Sequence, residues 1–375
     1  MINLIQYNPV KVVFGVGTVE KLGEYAPSVG KKPLVVFGKS SAKKSGLDVK
    51  VLDLIKQAGL NPVPFYGIEP NPRSTTCDAA VKLAKDNGCD CVIGVGGGSV
   101  MDASKAIAAS AATGAPVWDL VVRKAEVTSA LPLLLVSTFA ATGSDFNAGG
   151  VITNWETKEK FGMFSPHMYP KVSIIDPALT TTVPKNQTAY GGVDIIVHVM
   201  ETYLTTDDKD TPIPDYFSEG VARTVVEYLP RALANGDDVV ARTQLSWASA
   251  LALCGLPNGG RPGGFLMHWM EHVMSAHYDI PHGLGLAYLL PPTLEYVKEH
   301  FPHRYEKYTK NVLSDTIGFL KSIDCYVTLE DMGIDRNYVT RFVDDFIVQK
   351  MVDGKVPANP ELTREKIERI YLGNY

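Results

Sequence analysis

Through the first half of the chain, short apolar runs alternate with stretches whose apolar positions recur at helical spacing. Lys32–Gly38, Pro62–Tyr66, Cys91–Val95 and Leu131–Ser137 are such runs, rich in Val, Ile and Leu and bounded by polar or glycine positions. Uninterrupted apolar runs of this length mark strands buried on both faces. Between them, Val49–Gly59, Cys77–Asn87 and Val100–Ala112 carry helical periodicity, and Gly59 and Gly88 supply stops. Repeated strand–helix units predict a parallel sheet covered by helices on both faces. Ala148–Asp176 is more mixed and is expected to add an antiparallel pair and one further sheet strand.

Past the Thr- and Pro-rich stretch Pro177–Lys185 the texture changes. Tyr216–Ala232, Val239–Cys254, Phe265–His277 and His300–Ser322 are helical in period, and strand signals nearly vanish. The expected architecture is an α/β domain over residues 1–183 and an all-α domain over residues 184–375. A cleft between two such domains is a favoured place for a ligand.

Composition narrows the class of protein. The chain has 375 residues, 45% of them hydrophobic, with a formal charge of −5 and no basic cluster, so neither a nucleic acid nor a membrane surface is the expected partner. Five cysteines without a CxxC spacing argue against a disulfide framework or a thiolate zinc site. The first residues lack the pattern of a signal peptide, and no apolar run is long enough to span a bilayer. A cytoplasmic location is expected.

Two constellations carry chemistry. The first is Gly94-Val95-Gly96-Gly97-Gly98-Ser99-Val100-Met101-Asp102, which ends a strand and opens a helix. Glycines there permit a tight turn, and the N–H groups and dipole of the new helix favour a phosphate. It is neither a P-loop nor a GxGxxG in its usual place, so it implies an anionic ligand without naming one. The second is a set of imidazoles and a carboxylate. Asp194 and His198 are four apart, as are His268 and His272, so each pair shares a helix face; His282 follows between Pro281 and Gly283. Three imidazoles and one carboxylate suit a divalent first-row metal such as Fe²⁺ or Zn²⁺. Each pair alone is equally compatible with a side-chain hydrogen bond, and the Met267, Met270 and Met274 stripe reads as core.

These residues, taken in order, resemble the iron-containing (group III) alcohol dehydrogenases over almost the whole chain. The resemblance runs through Val13-Phe14-Gly15-Val16-Gly17, Pro70-Asn71-Pro72, and GGGS at 96–99 with Asp102 and Lys105. It continues through the Thr-rich segment Ser137–Asp145, Lys160-Phe161-Gly162, Asp176-Pro177, the Asp194/His198 pair, His268-x3-His272 and Pro281-His282-Gly283. It implies a dehydroquinate synthase-like fold, an α/β dinucleotide-binding domain followed by a helical one, and a homodimer. Metal ligation is implied for Asp194, His198, His268 and His282, with His272 facing the nicotinamide and substrate. Cofactor contacts are implied for Asn71, Gly97, Gly98, Ser99, Asp102, Thr138, Thr142 and Lys160. Ala141 stands where the family has glycine and Asp145 where it has glutamate, so the Thr-rich segment departs in detail.

Cofactor choice turns on the residues after the strand ending at Gly38. An aspartate there would hold the ribose hydroxyls of NAD and repel a 2′-phosphate. This chain has Gly38-Lys39-Ser40-Ser41, with Lys43 and Lys44 close by, which resembles the NADPH-using butanol dehydrogenase and aldehyde reductase branch. NADP(H) is therefore the expected cofactor, with NAD the alternative. The implied reaction is hydride transfer between a primary alcohol and its aldehyde. An NAD-dependent polyol dehydrogenase of the glycerol type and a sugar-phosphate cyclase are the competing readings. The cyclase would need basic phosphate-binding residues near the metal helix, where Arg261 stands alone.

Overall fold

Burial along each strand follows its place in the sheet. In the computed structural model, which describes residues 4–206, 211–261, 264–350 and 362–375, two compact units divide between Val183 and Pro184. The α/β unit, Tyr7–Val183, holds β1 (Lys11–Phe14), α1 (Leu22–Tyr25), β2 (Pro33–Gly38), α2 (Ser41–Ser45), α3 (Leu47–Gln57), β3 (Val63–Ile68), α4 (Ser74–Asp86), β4 (Cys91–Gly96), α5 (Gly98–Thr113), α6 (Val117–Val121) and β5 (Leu133–Ser137). It continues with the hairpin strands β6 (Gly149–Asn154) and β7 (Glu159–Phe164), and then β8 (Val172–Ile175). The main sheet is parallel throughout, in the order β1-β8-β5-β4-β2-β3. The interior strands β4, β5 and β8 are buried along their full length and β2 up to Gly38, whereas β1 and β3 at the edges are half-exposed. Alternate β2 residues feed opposite cores. Leu34 and Val36 pack with α4 and α5, while Val35 and Phe37 pack with α3.

The strand order puts a reversal between β2 and β4, because β3 lies on one side of β2 and β4 on the other. Such a switch point opens a crevice at the carboxyl ends of the strands. Gly38 and the Gly96–Ser99 turn both sit at those ends, and a Cβ on Gly38 would lie 3.6 Å from Val100. The hairpin β6–β7 is antiparallel and lies against α5, where the Cβ of any residue replacing Gly150 would stand 3.2 Å from the Asp102 backbone.

The second unit is helical among its described residues. It comprises α7 (Lys185–Leu204), α8 (Pro212–Ala234), α9 (Val239–Ala252), α10 (Leu266–Tyr278), α11 (His282–His300), α12 (Pro302–Asn311), α13 (Thr316–Ser322), α14 (Val339–Lys350) and α15 (Arg364–Tyr371). Met267, Met270 and Met274 are buried core residues. No helix among the described residues is long and apolar enough to cross a membrane.

Three details differ from the sequence reading. The four-residue strand β1 carries too short a pattern to register, and its pairing with β8 fixes it. His300–Ser322 is two helices, because Phe301 and Pro302 end α11 and Asp315 caps a fresh start by accepting from the Gly318 N–H. Leu4, Ile5 and Gln6 group with the helical unit rather than with residues 7–183, and Gln6 Nε2 donates to the Cys254 carbonyl at 3.0 Å.

Candidate active site

Three helices bring the expected metal ligands together. α7 presents Asp194, His198 and Glu201 at spacings of four and three; α10 presents His268, Glu271 and His272; His282 opens α11. Close approach of α11 to α7 depends on Gly283, where any Cβ would overlap the Tyr190 carbonyl. Ligating atoms of Asp194, His268 and His282 lie within 4.8 Å of one another. Asp194 Oδ1 is 3.4 Å from His268 Nε2 and 3.8 Å from His282 Nε2, and His198 Nδ1 is 3.1 Å from the same oxygen. The His198 and His268 rings are 4.2 Å apart. Glu271, His272 and His282 form an overlapping group, in which Glu271 engages the Nδ1 edge of His282 and leaves its Nε2 edge toward Asp194.

The chemistry of this pocket fits a cation. Asp194 Oδ1, His198 Nδ1 and His268 Nε2 are buried and satisfied by no hydrogen bond. Polar atoms in that state cost free energy unless something pairs with them. Burial disfavours the Asp194 charge, but His198, His268 and His282 outweigh it and hold the carboxyl well below the usual range. Burial pushes His198 down to about 3, leaving it neutral with a lone pair to give. Burial also opposes a charged His268, yet the carboxylates of Glu201 and Asp194 overcome it and raise that ring to about 10. The pocket thus calls for positive charge at His268 Nε2, which a proton or a metal ion can supply.

The α/β unit gathers most of the expected cofactor residues around the switch point. Gly97 is the extended N-cap of α5, so the N–H groups of Gly98 and Ser99 have no carbonyl one turn back. Gly98 lies against Thr142, whose Oγ1 would be 2.6 Å from any added Cβ and accepts from the Ser144 N–H at 3.3 Å. The Thr138 N–H donates to the Gly96 carbonyl at 3.1 Å. Lys160, on the hairpin, donates from Nζ to Asn71 Oδ1 at 2.9 Å, and both are buried. Asn71 is left-handed with φ 50, and the next residue, Pro72, accepts from the Thr153 N–H at 2.8 Å, tying that loop to the hairpin. Asp102 turns inward: its oxygens accept from Ser144 Oγ at 2.6 Å and the Val151 N–H at 2.9 Å. Lys39, Ser40 and Ser41 are exposed, while Lys43 sits 3.9 Å above the Tyr66 ring, whose hydroxyl donates to Asp48.

Comparison with known proteins decides the family. The iron-containing alcohol dehydrogenase model matches residues 9–177, and the model of the C-terminal part of the Fe-containing alcohol dehydrogenase family matches residues 188–375. The chain belongs to the iron-containing alcohol dehydrogenase family. Similar proteins include a probable NADH-dependent butanol dehydrogenase 1 of Bacillus subtilis, 42% identical over 82% of this chain and 79% of that one. The NADPH-dependent aldehyde reductase YqhD of Escherichia coli is 32% identical over 99% of both. The crystal structure of NADH-dependent butanol dehydrogenase A from Thermotoga maritima superposes with a TM-score of 0.93 at 37% identity, covering 99% of this chain and 98% of that one. As a family member the protein is an oxidoreductase of alcohols and aldehydes that uses a metal and a nicotinamide cofactor. Its similar relatives include both NADH- and NADPH-dependent enzymes.

For this iron-containing alcohol dehydrogenase, Arg261 has another occupation than a sugar phosphate. Its guanidinium is buried against Asp215, which also receives Arg304 Nη1 at 2.9 Å and the Lys307 ammonium, and Arg261 Nη1 donates to the Pro257 carbonyl at 3.0 Å. That engagement removes the residue on which the cyclase reading leaned.

Two residues of the site escaped the sequence reading. Glu201 Oε2 lies 2.6 Å from His268 Nδ1, and Glu271 pairs with His282 Nδ1. The available signal was spacing: Glu201 lies seven residues after Asp194, and Glu271 three after His268, both on the faces that carry the ligands.

Proposed function

We propose that the protein interconverts small primary alcohols and aldehydes by hydride transfer with NADP(H), using one divalent ion, Fe²⁺ or Zn²⁺, held by Asp194, His198, His268 and His282. The observation that carries this reading is the convergence of buried, unsatisfied Asp194 Oδ1, His198 Nδ1 and His268 Nε2 beside His282. A bound divalent ion supplies Lewis acidity to a substrate oxygen, and the nicotinamide gives or takes the hydride. The chain's own residues bind and orient. The first turn of α5, with Gly97, Gly98 and Ser99, offers N–H groups and a helix dipole to the pyrophosphate. Asn71 and Lys160, locked to each other, offer a fixed amide and a cation, and Thr138 and Thr142 border the same turn. His272, one turn from His268 and with its ring 5.8 Å from that of His282, is positioned to orient the substrate or to move its hydroxyl proton.

The preference for NADP(H) rests on Gly38, Lys39, Ser40 and Ser41, the junction from β2 to α2, whose exposed Lys39, Ser40 and Ser41 present a cation and hydroxyls where an acid would repel a 2′-phosphate. The test is the steady-state rate of NADPH and NADH oxidation with a panel of aldehydes that includes butanal, on protein whose metal content is measured. His268→Ala should lose both metal and turnover while NADPH still binds. Turnover by a metal-free His268→Ala protein, or no aldehyde reduction by the metal-loaded wild type, overturns the proposal.

A further inference from the structure

Glu201 and Glu271 stand on different helices and do the same thing to two different histidines. Glu201 Oε1 accepts the backbone N–H of His268 at 3.0 Å, while its Oε2 is 2.6 Å from Nδ1 of the same ring. His268 is the third residue of α10, so Glu201 satisfies one of the first-turn N–H groups that the helix leaves without a partner. A carboxylate at that end also suits the helix dipole. The one side chain therefore fixes both the backbone and the ring of His268. Glu271 grips His282 Nδ1 and is itself held by the Ser275 hydroxyl. Its room is made by Gly285, where a Cβ would come within 2.8 Å of Glu271 Cγ. Both carboxylates are buried, Glu201 at 1% and Glu271 at 0% exposure, so protein groups rather than water surround them.

A carboxylate accepts and does not donate, so the atom facing it must be Nδ1–H. In the neutral ring, the form that binds a metal, the lone pair is then on Nε2, and in both rings Nε2 points toward Asp194 Oδ1. We infer that Glu201 and Glu271 are positioning residues that set the tautomer and aim of His268 and His282, and that metal affinity depends on them. This rests on the metal reading above. In Glu201→Gln the backbone N–H of His268 claims the amide oxygen, so the N–H₂ faces Nδ1, drives the proton to Nε2 and blocks it; in Glu271→Gln a neutral amide replaces the charged acceptor of the His282 Nδ1–H. Partners of this kind are typically worth about 10–100-fold in metal affinity.

The experiment titrates metal-stripped wild type, Glu271→Gln, Glu201→Gln and Glu271→Asp with Zn²⁺ against a chromophoric chelator, with melting curves as the check on folding. The Gln variants should bind zinc about 10–100-fold more weakly, and Glu271→Asp, which keeps an acceptor, should recover part of that loss. Folded Glu201→Gln with wild-type zinc affinity overturns the inference while leaving the metal reading intact. Wild type that binds no zinc, iron or other divalent ion takes both down. Should the Gln variants not fold, zinc-loaded wild type labelled with ¹⁵N-histidine decides the matter. His268 and His282 should then show a proton on Nδ1 and metal on Nε2, and the reverse assignment overturns the inference.

Discussion

Gly283 rests directly on the backbone of Tyr190, so closely that a Cβ on Gly283 would overlap the Tyr190 carbonyl. This contact sets how near the start of α11 comes to α7, and therefore how near His282 comes to Asp194. The obstruction is main chain rather than the tip of a flexible side chain, so it cannot swing aside. Gly283→Ala should cost about 1–3 kcal/mol of stability through overpacking. It should also weaken zinc binding, because His282 moves with its helix. Melting curves of the stripped protein and a zinc titration check both. Wild-type values in the two measurements would show that the approach of the helices does not set the site.

Asp145 is fully buried, and burial pushes its carboxyl from 3.8 up to about 6 even though Ser137 and Lys105 pull the other way. Between about pH 4 and pH 6 the folded chain keeps a proton on Asp145 that the unfolded chain has lost. Stability from this group therefore falls as pH rises through that window, and above it the penalty is complete, about 1–3 kcal/mol. Asp145→Asn should accordingly be more stable than wild type at pH 7, with the advantage fading by about pH 4. Denaturant midpoints at several pH values measure it. An advantage that does not change with pH would assign the effect to something other than this carboxyl.

The parts of the molecule that were legible in the sequence are those whose cause is local. The runs at β2, β4 and β5 announced buried parallel strands because their neighbours in the sheet cover both faces. The Asp194/His198 and His268/His272 pairs announced themselves because four residues is one helical turn. What stayed hidden depends on partners far along the chain. β1 is a strand because β8 lies beside it, some 160 positions away. Glu201 belongs to the site because it meets His268 across 67 positions. The glycines of the Gly94–Gly98 run read as a phosphate turn, and the structure adds a second reason for them, since Ser104, Val100 and Thr142 leave Gly94, Gly96 and Gly98 no room for a Cβ.

Lys160 and Asn71 make a buried bond that joins the hairpin to the loop after β3. Lys160→Met keeps the length of the side chain and removes its charge and donors. Asn71 Oδ1 then loses this donor, and the cradle loses a cation. NADPH affinity, followed by cofactor fluorescence, should drop about 10–100-fold, the scale of one or two charge-assisted hydrogen bonds. Zinc affinity belongs to residues of the other unit and should be unchanged. A loss of zinc binding in this variant would indicate general unfolding instead.

Lys39 tests the choice between the two nicotinamide cofactors. It is exposed, follows β2 at the switch point, and is not drawn off by the ring of Tyr66 as Lys43 is. Lys39→Asp replaces an attraction for a 2′-phosphate by a repulsion and adds an acceptor for ribose hydroxyls. The KM for NADPH should rise about 10–100-fold, and that for NADH should stay level or fall. Because both charges lie in solvent, the NADPH effect should shrink as salt is raised from about 0.05 to about 0.5 M. Parallel kinetics with the two cofactors at low and high salt give the answer. Equal changes for NADPH and NADH would mean that Lys39 does not face the 2′ position, and the NADP(H) preference proposed from this loop would fall with it.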